Sequence, residues 1–139
     1  MTKSSARRAS AKPKPEKPFN GGLWTAARMR SFIMSALRRA QWPQKYASIA
    51  SAYVRDGINP ATGKPCKLHR CPLCQKLHPK GMMQADHTTP VIPLSGFDSW
   101  DGVISRLYCE KDGFQPICKP CHKGKTLLEN QQRKALKKP

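Results

Sequence analysis

Apolar side chains recur at helical spacing in two early stretches of the chain. Thr25 is suited to cap the first predicted helix, which runs to about residue 40. Trp42-Pro43 ends it, because proline disfavours helical geometry in the preceding residue and suits the first turn of a new helix. We predict a second helix from there to about residue 54. The apolar faces are predicted at Met29, Phe32, Ile33, Ala36, Leu37 and Ala40 in the first helix, and at Tyr46, Ile49, Ala50 and Tyr53 in the second.

Downstream of the second helix, the pattern changes to short elements separated by turn residues. The pairs Asp56-Gly57, Asn59-Pro60 and Thr62-Gly63 mark 55–65 as a joint between a helical part and a cysteine-rich remainder. Asp98 is suited to cap a short helix that ends near residue 107. A strand is predicted over 114–118 and a final helix from 121 to about 136. Inward-facing positions are expected at Trp100, Val103, Ile104, Leu107, Leu127, Leu128 and Leu136.

Positive charge is concentrated towards the two ends of this pattern. The 139 residues include 26 Lys and Arg but 8 Asp and Glu, for a net charge of +18. Residues 43–118 are nearly balanced, whereas 1–42 and 119–139 are strongly basic. Each phosphate that a Lys or Arg contacts releases condensed counterions, which favours binding. The distribution therefore indicates a nucleic-acid partner, against the alternative that the basic ends only keep the protein in solution.

Composition also predicts the domain organisation and the compartment. Residues 1–20 offer almost nothing to a core, so we predict a disordered basic arm, followed by a helical N-terminal segment over 21–57 and a cysteine-rich domain over 58–139. No apolar run approaches the roughly 18 residues of a membrane span, and the basic N-terminus lacks the apolar stretch of a secretory signal. We therefore expect a cytoplasmic protein without membrane contact, whose cysteines are reduced.

Two Cys-x-x-Cys pairs, Cys71 with Cys74 and Cys118 with Cys121, have the spacing of zinc knuckles. Two residues between thiolates let one tight turn present both sulfurs to a tetrahedral ion, and two such turns complete a four-thiolate site. The alternative is a redox pair, which normally belongs to a thioredoxin-like pattern that this sequence lacks. The spacing therefore predicts a structural Zn²⁺ that stabilises a small domain.

The remaining cysteines and two of the histidines are not expected to bind this zinc. Cys66 and Cys109 are predicted to be ordinary thiols, half-buried at best. His69 and His78 are expected at the surface, or in contact with the zinc ligands from outside.

Asp86 and His87 lie between the knuckles, and His122 directly follows the last cysteine. The zinc would bring the final helix near the Asp86 strand, so that Asp86 and His122 can face one another. A carboxylate and an imidazole, with water at the other positions, form an open site for Mg²⁺ or a transition-metal ion. His87, one residue further along an extended strand, points to the opposite side. It is therefore suited to act as a general base on water near neutral pH.

These residues belong to a longer ordered series. The series comprises Cys71, Cys74, Asp86, His87, Pro90, Val91, Gln115 to Cys118, Cys121, His122, Lys125 and Thr126. In order and spacing it resembles the zinc-containing HNH endonuclease family over roughly residues 66–130. The stretch 96–115 resembles phage-encoded members in particular, and 22–46 is similar to their N-terminal helical segment.

The resemblance implies an α+β fold. It consists of a ββα-metal (HNH) core with a four-cysteine structural zinc site, preceded by the small helical segment and the basic arm. It also implies a phosphodiester hydrolase that cuts DNA with one divalent ion, Mg²⁺ or another. His87 matches the general base, Asp86 and His122 match the ligands of the catalytic ion, and the four cysteines match the structural zinc.

Several basic residues are candidates for holding the DNA backbone. Lys123 and Lys125 lie nearest the matched motif on the final helix, and Arg28, Arg38 and Arg39 lie on the first helix. Contacts of this kind position DNA without reading its sequence. A phage terminase or another DNA-processing protein is a further candidate partner, in which case the protein would act in the host bacterial cytoplasm.

One position departs from the family pattern. The middle Asn, which orients the general base, normally lies two residues before Gln115, where this chain has Gly113. The sequence therefore leaves open what orients His87. The alternative function is a non-catalytic, zinc-stabilised nucleic-acid-binding module in a phage DNA-processing complex. Zinc and charge support both functions equally, and only Asp86, His87 and His122 favour catalysis.

Overall fold

The computed structural model describes residues 11–137, which form two compact units, one up to Ala40 and one from Gln41 onward. The predicted arm over 1–20 lies partly outside the described residues, and 11–18 are exposed without regular secondary structure. Because the division follows Ala40, the second helix groups with the cysteine-rich part of the chain. Across 11–137, every helix is too short or too polar to cross a membrane.

The first unit contains helix α1, Ala26–Arg39, preceded by a bridge between Phe19 and Trp24. Thr25 caps it as predicted, since its side-chain oxygen accepts a hydrogen bond from the backbone N–H of Arg28 at 3.1 Å. The predicted apolar face is wrong at Phe32, which is 53 % exposed and packs its ring against Trp24. The buried residue of this helix is Met34, which directly follows Ile33 and was not among the predicted apolar-face residues.

The second unit begins with helix α2, Pro43–Ser51, and a three-stranded antiparallel sheet of β1, Tyr53–Ile58, β2, Pro65–Arg70, and β3, Leu77–Pro79. The predicted continuation of the helix to residue 54 and the predicted joint over 55–65 are therefore wrong. Only residues 59–64 form the turn, where the N–H of Asn59 bonds to the carbonyl of Lys64 at 2.8 Å. The pairing of β1 with β2 across that turn therefore determines the conformation of the residues from Tyr53 onward, in place of the helix that their spacing predicted.

A second pair of antiparallel strands leads directly into the last helix. β4, Met83–His87, pairs with β5, Phe114–Cys118, and α4, Lys119–Lys137, follows at once. The predicted strand is confirmed, and the helix begins two residues earlier than expected. The packing predicted for three leucines of α4 is wrong, because each is more than half exposed: Leu127, Leu128 and Leu136.

Helix α3, Trp100–Leu107, lies between β4 and β5 in the chain. Its N-cap is Ser99 rather than the predicted Asp98, since the Ser99 hydroxyl accepts from the N–H of Gly102 at 3.1 Å. Val103 and Leu107 are buried as expected. Ile104 is 43 % exposed, so its predicted inward position is wrong.

The cysteine pairs lie within the apolar core of this unit. Cys71, Met83, Ile117 and Cys118 form a buried cluster. Four partly buried residues pack against this cluster. They are Ile49 and Ala52, from α2 and its C-terminal end, and the other two cysteines, Cys74 and Cys121. The fold is thus mixed α+β with small sheets, as predicted, and its core surrounds four thiols.

Candidate metal and catalytic site

The four cysteines of the two pairs converge on one point. Their Sγ atoms all lie within 4.8 Å of one another, and those of Cys74 and Cys118 are 3.9 Å apart. Four sulfurs around Zn²⁺ at bond lengths of about 2.3 Å would be separated by about 3.8 Å. The cluster could therefore hold a metal ion such as zinc, as the spacing predicts.

Two different backbone features present these thiols. The first pair follows β2 in a tight turn, in which the N–H of Gln75 bonds to the carbonyl of Cys71 at 2.8 Å and Gln75 adopts a positive φ of 62°. The second pair spans a junction, since Cys118 ends β5 and Cys121 lies in the first turn of α4. A metal here would join the end of the first sheet to the strand–helix junction of the second.

The thiols have different acidities before any metal binds. Burial raises the pKa of Cys71, but hydrogen bonds from the backbone of Cys118 and Cys74 outweigh it and lower the pKa to about 6. The side-chain hydrogen bond with Cys118 raises the pKa of Cys121 to about 12. The Cys71 thiolate therefore forms readily, which would favour binding of a metal cation.

The two histidines near the cysteines differ in their surroundings. His78 on β3 places its Nε2 3.5 Å from the Sγ of Cys74, so it contacts a candidate ligand from outside, as expected. His69 is only 2 % exposed, so the predicted surface position is wrong. It lies on β2, the central strand of its sheet, and its ring centroid is 6.0 Å from that of Tyr53 on β1.

Asp86 and His122 face each other across β4 and α4. The Oδ1 of Asp86 lies 3.5 Å from the Nε2 of His122. The Asp86 side chain is 12 % exposed and that of His122 38 %, so the pair is reachable from solvent. These two atoms are close enough to bind one cation between them.

The second carboxylate oxygen of Asp86 already has partners. Its Oδ2 accepts a hydrogen bond from the Nε2 of Gln115 at 3.0 Å and forms an ion pair with Lys125. Lys125 also donates to the backbone carbonyl of His87 at 2.9 Å and pairs with Glu129 at 3.3 Å. These contacts hold the carboxylate so that Oδ1 is directed towards His122.

Lys125 thus lies inside the site, although the sequence placed it among the residues that hold DNA. Burial lowers its pKa, but the neighbouring carboxylates of Asp86 and Glu129 outweigh this and raise it, so the ammonium group stays charged. Gln115 was not a predicted site residue. The strand register could have indicated it, because Gln115 lies directly opposite Asp86.

His87 is held by the backbone of helix α3 and by an aromatic ring. Its Nε2 lies 3.0 Å from the carbonyl oxygen of Leu107, and its ring centroid is 4.6 Å from that of Phe114. A carbonyl can only accept a hydrogen bond, so Nε2 carries the proton and the lone pair of the neutral ring is on Nδ1. This contact orients His87 in a chain with glycine at position 113.

The space beside Gly113 is filled by a thiol. A Cβ built at this position would lie 2.5 Å from the Sγ of Cys109. Cys109 is half-buried, as predicted, and burial raises its pKa. The carbonyl of Gly113 accepts hydrogen bonds from the N–H and the hydroxyl of Thr88, at 3.0 and 3.1 Å. An asparagine side chain at 113 would therefore collide with Cys109.

The other predicted DNA-contacting residues are exposed. Lys123 is exposed on α4, and the three arginines are exposed on α1: Arg28, Arg38 and Arg39. The guanidinium of Arg28 lies 5.3 Å from the ring centroid of Trp24.

Comparisons of the chain with protein-family models, with curated proteins and with solved structures give no match.

Proposed function

We propose that this protein is a metal-dependent DNA endonuclease of the HNH type. The observation that carries the proposal is the 3.5 Å separation of Asp86 Oδ1 and His122 Nε2, with His87 on the next residue of the same strand. A zinc-stabilised binding module has no need for this arrangement of a carboxylate and two imidazoles.

The order of elements around these residues supports an HNH core. β4 carries Asp86 and His87, β5 pairs with it, and α4 carries His122 in its first turns. This is the strand–strand–helix order of a ββα-metal unit. The four-cysteine cluster at the β5–α4 junction would fix the helix relative to the strands.

The chemistry assigned to the site is hydrolysis of a phosphodiester. When bound by Asp86 and His122, a divalent ion supplies charge stabilisation to the scissile phosphate and to the leaving 3′ oxygen. His87 takes a proton from water at its Nδ1 as the water attacks phosphorus in line and the bond to the 3′ oxygen breaks. The leaving 3′ oxygen takes a proton from solvent water, so the products are a 5′ phosphate and a 3′ hydroxyl.

Two neighbouring groups position these catalytic residues. The carbonyl of Leu107 holds the ring of His87 and also stabilises the imidazolium that forms when Nδ1 takes the proton. Lys125 holds Oδ2 of Asp86.

One observation favours the alternative, a non-catalytic nucleic-acid-binding module. The ammonium group of Lys125 balances the charge of Asp86 without any metal ion, so the same contacts would serve as a structural ion pair. The zinc cluster and the net charge of +18 suit this function equally well.

Cleavage of plasmid DNA by purified protein tests the proposal. With added Mg²⁺ or Mn²⁺ we expect the wild type to cut, and His87→Ala to cut more slowly by a factor of about 10² to 10⁴, the usual contribution of a general base. The cut ends should be substrates for a ligase, because they carry 5′ phosphates.

Zinc content and DNA binding of both proteins are the controls for folding. If the wild type and His87→Ala are equally inert with every metal while both contain zinc and bind DNA, the endonuclease is excluded and the binding module remains.

A further inference from the structure

A basic pocket lies on the sheet of β1, β2 and β3. It has a volume of about 250 Å³ and is lined by Ala50, Tyr53, Lys67, His69 and Lys80. None of these residues belongs to the four-cysteine cluster or to the candidate catalytic site. The pocket combines two lysines, an imidazole and an aromatic ring on one small surface.

A polar atom without a partner belongs to the most deeply buried residue of this pocket. His69 is 2 % exposed, and its Nδ1 is buried without a hydrogen-bond partner. Buried polar atoms of proteins are nearly always paired, so an unpaired ring nitrogen next to a cavity indicates a missing ligand. An anion in the pocket would offset both lysine charges and accept a hydrogen bond from Nδ1–H.

The two lysines are available for such an anion. Among the ion pairs of residues 11–137, none includes Lys67 or Lys80. The Nζ of Lys67 lies 5.8 Å from the ring centroid of Tyr53. The nearest acidic residue along these strands, Asp56, already accepts a hydrogen bond from the hydroxyl of Tyr53 at 3.0 Å. The positive charge of the pocket is therefore only partly compensated.

We propose that this pocket binds a phosphodiester group of a nucleic-acid strand, through Lys67, Lys80 and the Nδ1 of His69. A nucleic acid fits better than a small free anion, because the net charge of +18 extends far beyond the pocket and suits a long polyanion. The proposal rests on the nucleic-acid partner of the proposed function and not on cleavage.

Removing the two lysines tests the pocket without touching its buried histidine. Lys67→Gln/Lys80→Gln is compared with Lys64→Gln/Lys76→Gln, which removes the same charge from two other exposed lysines. Affinity for a short DNA duplex is measured without added divalent ions at several salt concentrations.

Log affinity falls linearly with log salt concentration, and this decline should be shallower by about 1 in the pocket variant, the effect of one lost phosphate contact. Its affinity deficit should accordingly shrink roughly three- to four-fold between about 50 and 200 mM salt. The control pair should retain the wild-type slope. Equal slopes and affinities for the two double variants would overturn the proposal.

The His69 ring provides a second, local measurement by NMR. We expect duplex DNA to shift the ring resonances of His69 in the wild type but not in Lys67→Gln/Lys80→Gln. Inorganic phosphate at the same phosphorus concentration should leave them unchanged. An equal shift with inorganic phosphate would overturn the nucleic-acid assignment in favour of a free-anion site.

These measurements separate failure of the pocket from failure of the nuclease. A protein that never cuts DNA but shows the pocket-dependent slope retains the phosphodiester site. If the protein cuts DNA but the pocket variant and the control pair have the same slopes and affinities, the phosphodiester site is excluded and the catalytic function stands.

Discussion

The sulfur of Cys109 fills the space next to Gly113, where the HNH family has the side chain that orients its general base. The two residues depend on each other, because a side chain at 113 and a thiol at 109 cannot both fit. In the proposed nuclease, a backbone group would take this orienting role: the carbonyl of Leu107, at the end of the helix that precedes Cys109, lies 3.0 Å from the Nε2 of His87.

We predict that Gly113→Ala destabilises the protein and that Cys109→Gly relieves much of this effect. The new Cβ would lie 2.5 Å from Sγ and 2.9 Å from Cβ of Cys109, and overpacking of this kind typically costs about 1–3 kcal/mol. Urea unfolding of the two single variants and the double variant, combined as a double-mutant cycle, measures the coupling. Additive free energies of unfolding would contradict the proposed dependence.

At the level of single residues, side-chain chemistry could be predicted and backbone contacts could not. The sequence predicted that Asp86 and His122 face each other, because a shared ion would draw the helix after Cys121 towards the Asp86 strand. In the structure, the β4–β5 pairing places Asp86 beside that helix. The contact of His87 with the Leu107 carbonyl carries no sequence signal, since every residue has a carbonyl. The burial of His69 was missed because it depends on the pairing of β2 with its neighbouring strands. The turn residues around position 59 indicated a turn but not which residues pair across it.

The turn after β2 and the β5–α4 junction are the two elements that the cysteine cluster would connect. Cys118 lies in the buried cluster with Ile117 and Met83, so its loss removes a candidate metal ligand and disturbs the core at the same place. The β4–β5 pair offers little independent stability, because a two-stranded sheet is marginal alone.

We expect Cys118→Ser to lose bound zinc and to unfold most of the second unit. Cys66→Ser is the matched control, because Cys66 is a half-buried cysteine outside the cluster. Zinc content by elemental analysis and circular dichroism report the two effects. A Cys118→Ser protein with native circular dichroism and full zinc content would contradict the metal assignment.

Elements with strong local signals were predicted, whereas the three strands of the first sheet, which depend on pairing with one another, were not. The Thr25 cap and the Trp42-Pro43 break specify the first helix closely. β1 was missed because Tyr53 continues the helical spacing of α2, whereas its strand conformation comes from pairing with β2. The leucines of α4 fit a helical stripe, but each is more than half exposed among the described residues.

Along the whole chain, positive charge is concentrated at the two ends, whereas the candidate catalytic strand lies in the middle. The basic ends supply most of the net charge of +18, and the nearly balanced middle contains the candidate catalytic residues Asp86 and His87. This distribution suits a protein that holds a polyanion with its flanks and presents a small polar site to it. At this scale, the proposed function requires that folding around the cysteine cluster creates a second, exchangeable metal site.

Binding of Mn²⁺ to the zinc-loaded protein, followed by electron paramagnetic resonance, tests that claim most directly. We predict one exchangeable Mn²⁺ in the wild type and in Lys123→Gln. Asp86→Asn and His122→Ala should each weaken binding by more than about 10-fold, since even residues that only support metal ligands contribute roughly 10- to 100-fold. A wild type that binds no Mn²⁺, or binding that both variants retain in full, would contradict the account.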